Sequence, residues 1–195
     1  MMRVSSNQAK TEVKPLSPIA HAQPVCACAP GHDPVFCAAF YTPYEAAAQT
    51  ALQMLCAARD KMSGDVLALH LRLKSGASIR GKLRKKGLPE TAAAAGAALR
   101  DIAGLRAVLT DRNAVYRFAR VLLESGVAQL EDVHDYIAAP KRSGYQSLHL
   151  ILSIPVCLDG QAYMTPVEIQ LRTAGMDIWA CAEHRLIYKP AGQLQ

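Results

Sequence analysis

Apolar positions along this chain change their period several times, and each change marks an element. From Pro43 to about Met62, Ala47, Ala51, Met54, Leu55 and Ala58 recur at helical spacing, and Ser63-Gly64 ends the helix. Leu67, Leu69, Leu71 and Leu73 then alternate with Ala68, His70, Arg72 and Lys74, the period of a half-buried strand, so Arg72 and Lys74 point the same way. Ser75 to Lys86 returns to helix: Ile79 and Leu83 pack inward while Ser78, Lys82 and Lys85 share another face, and Gly87-Leu88-Pro89 stops it. An Ala-rich segment follows, to which no element is assigned. Ile102–Leu109 reads as a buried strand and Asn113–Leu123 as a helix ending before Gly126. Val133–Ile137, Leu148–Leu158 and Met164–Arg172 are further strands, and a final helix runs from about Ala174 to His184. In the last strand Val167, Ile169 and Leu171 face a core, which leaves Glu168, Gln170 and Arg172 side by side on the other face. Helices alternating with strands predict a single α/β domain with a mixed sheet covered by helices.

Length agrees, since 195 residues, about half of them apolar, suit one well-cored domain. Residues 1–39 carry Pro15, Pro18, Pro24, Pro30 and Pro34 with no sustained period and read as a poorly ordered leader; 40–190 read as the domain and 191–195 as a tail. No apolar run approaches the roughly 20 residues of a membrane span, and the N-terminus is polar, so a cytoplasmic protein without membrane contact is expected. Cys26, Cys28, His32 and Cys37 lack the paired knuckles of a zinc site, and Cys56, Cys157 and Cys181 read as small buried apolar residues.

Charge changes the picture more. Between Asp65 and Glu90 there is no acidic residue, while Arg72, Lys74, Arg80, Lys82, Arg84, Lys85 and Lys86 all fall there. That is enough positive charge to hold a polyphosphate or a nucleic-acid backbone, or to form a solvated basic face.

Four groups of residues then occur in order: Asp101-Ile102-Ala103-Gly104-Leu105-Arg106, Asp135 to Lys141, Gly144-Tyr145-Gln146-Ser147-Leu148-His149, and Glu168-Ile169-Gln170-Leu171-Arg172-Thr173. With Asp177-Ile178-Trp179-Ala180, Glu183-His184-Arg185 and Tyr188-Lys189, this resembles the synthetase domain of the RelA/SpoT family over roughly residues 65 to 190. The chain has room for neither the hydrolase domain nor the regulatory domains of the long members, and is similar to the small alarmone synthetases. The resemblance implies a nucleotidyltransferase-like fold and transfer of pyrophosphate from ATP to the 3′ hydroxyl of GDP or GTP, with Mg²⁺.

It also implies roles. Asp101 would bind the metal, and Glu168 would approach both the metal and the attacking hydroxyl; a salt bridge with Arg172 is the structural alternative for Glu168. Arg72, Lys74, Ser78, Lys82 and Lys85 fall on the ATP-binding positions together with Arg106, the two arginines flanking adenine and the lysines holding phosphates. Strict alternation separates Asp101 from Arg106, which suggests a bulge at Gly104 or an Arg106 beyond the strand's end. On the acceptor side Tyr145 would stack on guanine, or else serve as a core tyrosine. Lys141 and His149 would contact phosphates, and Gln170 and Asp177 would read the guanine edge.

The chain departs from its relatives in places. Ser143 and Gln146 stand where many small synthetases have Asn and Arg, which leaves the choice between GDP and GTP open, and His134 precedes Asp135 where a basic residue is usual. The C-terminal helices with which small synthetases form tetramers are not found, so a homo-oligomer is an open expectation. Two other readings stand beside the synthetase: a toxic relative that pyrophosphorylates transfer-RNA 3′ ends or adenine nucleotides, with Arg80, Arg84 and Lys86 as RNA contacts, and a catalytically inactive nucleotide- or RNA-binding module.

Overall fold

The structure, a computed structural model, describes residues 33, 35–62 and 64–188, the last five as backbone only. The elements run α1 (Ala38–Asp60), β1 (Val66–Leu73), α2 (Gly76–Lys85), α3 (Ala92–Ala98), β2 (Ala103–Leu109), α4 (Arg112–Leu123), β3 (Gln129–Asp135), β4 (Leu148–Leu158), β5 (Gln161–Thr173) and α5 (Ala174–Tyr188). The strands form one sheet in the order β1-β2-β5-β4-β3. β2 and β5 are parallel and the other neighbours antiparallel, so the sheet is mixed, as expected for an α/β domain.

Alternation divides this sheet into two faces. Leu105, Ile169 and Leu150 lie in one cross-strand row, Ala103, Val167 and Leu152 in another, and all are buried. Ala47, Ala48, Ala51 and Leu55 of α1 join the same core with Val115, Phe118 and Leu122 of α4. The alanines of α1 let that helix sit close against the strands. The opposite face carries the polar rows. Arg72, Gly104, Glu168, Ile151 and Asp132 form one line across the five strands, and His70, Arg106, Gln170, His149 and His134 form the next.

Several expectations shift. α1 begins five residues before Pro43, because Phe36, Phe40, Tyr41 and Tyr44 pack ring on ring at its start and outweigh the hydrogen bond that proline removes. Packing therefore starts ahead of residue 40, with Phe36 buried. The Ala-rich segment is helix α3, capped by Thr91, whose hydroxyl accepts from Ala94 N at 3.2 Å. β3 lies earlier than expected and stops at Asp135, whose Oδ1 accepts from Ile137 N and Ala138 N, both at 2.9 Å, turning the chain. No bulge falls at Gly104: β2 pairs with β5 in unbroken register, and the shifts lie on the edge strands, at Val66/Ala68 and Leu130/Asp132. Arg106 is inside β2, and Asp101 escapes the alternation because it precedes the strand.

Cys157 and Cys181 are exposed rather than buried, one near the far end of the β4–β5 hairpin and one on the outer side of α5, while Cys56 is half-buried. Cys26, Cys28 and His32 lie outside the described residues. Among those described, no group of three or more His, Cys, Asp or Glu side chains has metal-site geometry, and no helix is long and apolar enough to cross a membrane.

Candidate active site

Leu99 and Ile102, both buried, anchor the segment that holds Asp101 at the entrance to β2. Lys74, just past β1, is fixed to the same segment by its backbone N–H, which donates to Ile102 O at 2.8 Å. The Lys74 ammonium lies 2.5 Å from Asp101 Oδ2, and Lys82 Nζ from α2 reaches the same oxygen at 2.8 Å. Burial pushes the Asp101 carboxyl up, but the two ammonium groups outweigh it and hold it below its usual value. Asp101 Oδ1 is buried and has no hydrogen-bond partner among the described residues.

α2 is aimed by its cap. Ser75 Oγ accepts from Ser78 N at 3.3 Å and stands 3.0 Å from Ser78 Oγ. Ile79 and Leu83 bury the inner side of the helix. Lys85 is exposed on its last turn, and Arg72 is exposed on β1.

Glu168 sits on β5, the middle strand, where hydrogen-bonded neighbours on both sides restrain its backbone. Its Oε1 is 3.0 Å from His149 Nδ1, and its Oε2 accepts from Gln170 Nε2 at 2.7 Å. Burial raises its proton affinity, and the charge of Asp101 adds to that. The hydrogen bonds from His149 and Gln170 prevail, leaving the carboxyl below its usual range. Arg172 does not pair with Glu168, so the salt-bridge alternative is not what the fold builds; its partners are Tyr145, Gln170, Ser147 and Asp177.

Tyr145 follows a turn closed by Gly144 N donating to Lys141 O at 2.8 Å. Gly144 lies against the ring of Trp179 with φ +81°, a conformation that favours glycine. The Tyr145 ring is buried and its hydroxyl is 2.8 Å from His149 Nε2. Lys141 Nζ lies 4.3 Å from the centre of the Tyr136 ring and 4.8 Å from that of Tyr145. Asp177, on the first turn of α5, takes Arg106 Nη1 and Arg172 Nη1 on one oxygen, each at 3.0 Å.

Asp101 and Glu168 line one cleft of about 440 Å³ together with Lys82, Lys86 and Arg100, and Glu131, Asp132 and His134 of β3 form its far wall. The fold thus joins Asp101 to Lys74 and Lys82, Glu168 to His149, Gln170 and Tyr145, and Arg106 to Asp177. Sequence reasoning missed Arg100 and Glu131 as lining residues, and missed Arg172 as the hub of the network. The one signal for Arg172 was its place beside Glu168 and Gln170 on the polar face of an apolar strand. Arg80 and Arg84, which the transfer-RNA alternative would use as RNA contacts, are held by carboxylates: Arg80 meets Asp33 at 2.6 Å and Glu90 at 3.3 Å, and Arg84 meets Glu90 at 2.7 Å.

A family model described as a region found in RelA / SpoT proteins matches residues 71–193, a stretch that contains every lining residue of the cleft and the Arg172 network. The chain belongs to the RelA/SpoT family. This RelA/SpoT chain is 40% identical over 118 residues to the GTP pyrophosphokinase YwaC of Bacillus subtilis (strain 168), which is 60% of the chain and 56% of that protein. It spans a little over half the length of the curated relatives it matches. Its fold matches the crystal structure of the small alarmone synthetase 1 from Bacillus subtilis bound to its product pppGpp, with TM-score 0.71 and 32% identity, covering 80% of this chain and 81% of that one. With the same synthetase bound to AMPCPP the TM-score is 0.64 and the identity 29% over the same shares.

Proposed function

We propose that this chain transfers pyrophosphate from ATP to the 3′ hydroxyl of GDP or GTP, releasing AMP. The observation that carries this is the pairing, in one cleft, of Glu168 on the central strand with a lysine-held Asp101 whose second oxygen is buried and unpartnered among the described residues. The relatives support it: one is named a GTP pyrophosphokinase, and a structural neighbour holds pppGpp and, separately, an ATP analogue.

In the reaction the 3′ oxygen bonds to the β-phosphorus as the bond from that phosphorus to the oxygen of the AMP portion breaks. Glu168 accepts a hydrogen bond from the 3′ hydroxyl and orients its lone pair at phosphorus. A carboxylate held below its usual range is a weak base, so positioning and charge outweigh outright proton removal. Lys74, Lys82 and Lys85 hold the donor phosphates with Ser78, and Arg72 and Arg106 flank the adenine. Tyr145 stacks on guanine, Gln170 and Asp177 face its edge, and Lys141 and His149 meet acceptor phosphates.

The donor set fits Mg²⁺, which takes one or two carboxylates together with substrate phosphates. Asp101, through its unpartnered oxygen, and Glu168 would hold it. When bound, the ion neutralises polyphosphate charge and polarises the phosphoryl group.

A transfer-RNA acceptor needs basic surface beyond the donor site, and Arg80 and Arg84 are already neutralised by Asp33 and Glu90. A free guanine nucleotide is the better acceptor, and a reaction in the cytoplasm is part of the same proposal. The test is incubation with γ-labelled ATP, Mg²⁺ and, separately, GMP, GDP, GTP, ADP or deacylated transfer RNA, with products resolved by thin-layer chromatography. Label on GDP or GTP is the expected result; label on RNA or ADP alone refutes the assigned acceptor.

A further inference from the structure

Arg172 is almost fully buried in the polar face of the sheet, and its guanidinium is used in every direction. Nη2 donates to Tyr145 Oη at 2.7 Å and to Gln170 Oε1 at 2.8 Å, Nη1 donates to Asp177 Oδ1 at 3.0 Å, and Nε donates to Ser147 Oγ at 3.4 Å. Two of these bonds open arms that both end on Glu168. One runs through Tyr145 and His149, the other through Gln170. The five side chains close a ring.

With His149 neutral and Glu168 a carboxylate, donor and acceptor chemistry allows one proton arrangement around that ring. Arginine only donates. Tyr145 Oη, having accepted from Arg172, has its own hydrogen to give, and the acceptor within reach is His149 Nε2 at 2.8 Å. His149 then carries its proton on Nδ1, which faces Glu168 Oε1 at 3.0 Å. On the other arm Gln170 accepts from Arg172 through Oε1, so its amide nitrogen is turned to Glu168 Oε2. All bonds point from the arginine to the carboxylate, and both carboxylate oxygens receive a donor.

We infer that Arg172 is a positioning residue for the transfer: through Tyr145 and Gln170 it sets the tautomer of His149 and delivers two hydrogen bonds to Glu168. The inference rests on the reading of Glu168 as the residue that meets the 3′ hydroxyl. Arg172 touches neither substrate nor metal in this role; it acts through its neighbours.

The experiment is ¹⁵N NMR of the histidine ring nitrogens in the full chain at neutral pH, with His149 assigned by its loss in His149→Gln. The expected wild-type signature is a protonated Nδ1 and a bare Nε2. Tyr145→Phe keeps the ring and breaks one arm, and the fixed tautomer should give way to a mixture. Arg172→Lys keeps the charge and loses the fork. Its kcat should fall about 10- to 100-fold with the KM for ATP little changed. An Nε2–H tautomer or an imidazolium in the wild type overturns the inference, as does an unchanged His149 signature in Tyr145→Phe. Failure of the functional reading shows elsewhere, as full activity in Glu168→Gln with the wild-type tautomer intact.

Discussion

Replacing Glu168 by Gln changes one oxygen to an amide nitrogen in a site where both oxygens already receive donors. Oε1 faces His149 Nδ1 at 3.0 Å and Oε2 faces Gln170 Nε2 at 2.7 Å. Whichever way the new amide turns, one donor meets a donor, and a buried mispaired group costs about 1–3 kcal/mol of stability. The larger loss is in the transition state. The carboxylate that orients the 3′ hydroxyl supplies an interaction worth about 10²- to 10⁴-fold in rate, or about 3–5 kcal/mol. Lys74 and Lys82, two of the ammonium groups assigned to the donor phosphates, meet Asp101 and not Glu168, and Asp101 remains to hold the cation, so binding of a non-hydrolysable ATP analogue should weaken far less than turnover. Chromatographic assay of pyrophosphate transfer at saturating substrates, beside calorimetric titration of the analogue, separates the two effects. Turnover within about tenfold of wild type would refute the role given to Glu168.

Three other outcomes follow from the same geometry. Asp101 and Glu168 are both held below their usual range of about 4, so the unfolded chain binds more protons than the folded one below neutrality. Their stabilisation is complete above that range and is lost as pH falls through it, so Tm should drop between about pH 5 and about pH 2, and a flat profile there would contradict the pairing. A Cβ at Gly104 would meet only backbone oxygens at 3.8 and 3.9 Å, so Gly104→Ala should keep or raise Tm, whereas Gly104→Leu should fill the floor between Arg72 and Glu168 and lower kcat/KM about 100-fold; a fully active leucine variant would refute this. Asp177→Asn removes the charge shared by Arg106 and Arg172. It should raise the acceptor KM about 10- to 100-fold and weaken discrimination between guanine and adenine, and steady-state kinetics with GDP and ADP checks both.

What local pattern could reveal was the set of elements apart from α3, and the polar face of β5. The alternation of Val167, Ile169 and Leu171 with Glu168, Gln170 and Arg172 put the latter three on one side of one strand, and the structure has them there. Strand order was beyond local reading, because periodicity says which face of a strand is buried and nothing about its neighbour. The parallel pairing of β2 with β5 joins residues more than sixty positions apart. Contacts that only the folded chain makes also hid the roles of Arg80 and Arg172. A basic residue in a charge run looks alike whether solvated or paired, and Arg80 finds Asp33 only once the chain ahead of α1 folds back on α2. The misplaced bulge has a simple cause: Asp101 was counted as a strand residue, and alternation then demanded an irregularity that a start two residues later removes.

The two halves of the site differ in how they are held, and the difference matches their tasks. Glu168, Gln170 and His149 stand on the inner strands β5 and β4, where backbone pairing on both sides and the Arg172 ring leave little freedom. The group that must meet the hydroxyl is therefore placed before any substrate arrives. Lys74 and Lys82 stand past the end of an edge strand and on a ten-residue helix, and their ammonium groups ride on long stems. Without substrate they neutralise Asp101, because a buried carboxylate needs a countercharge. An incoming polyphosphate offers the lysines richer partners, and the cation that accompanies it offers Asp101 a new one. Donor binding is then an exchange of ion pairs in which no charge is left buried alone, and affinity for the donor should depend steeply on Asp101 even though Asp101 meets no phosphate.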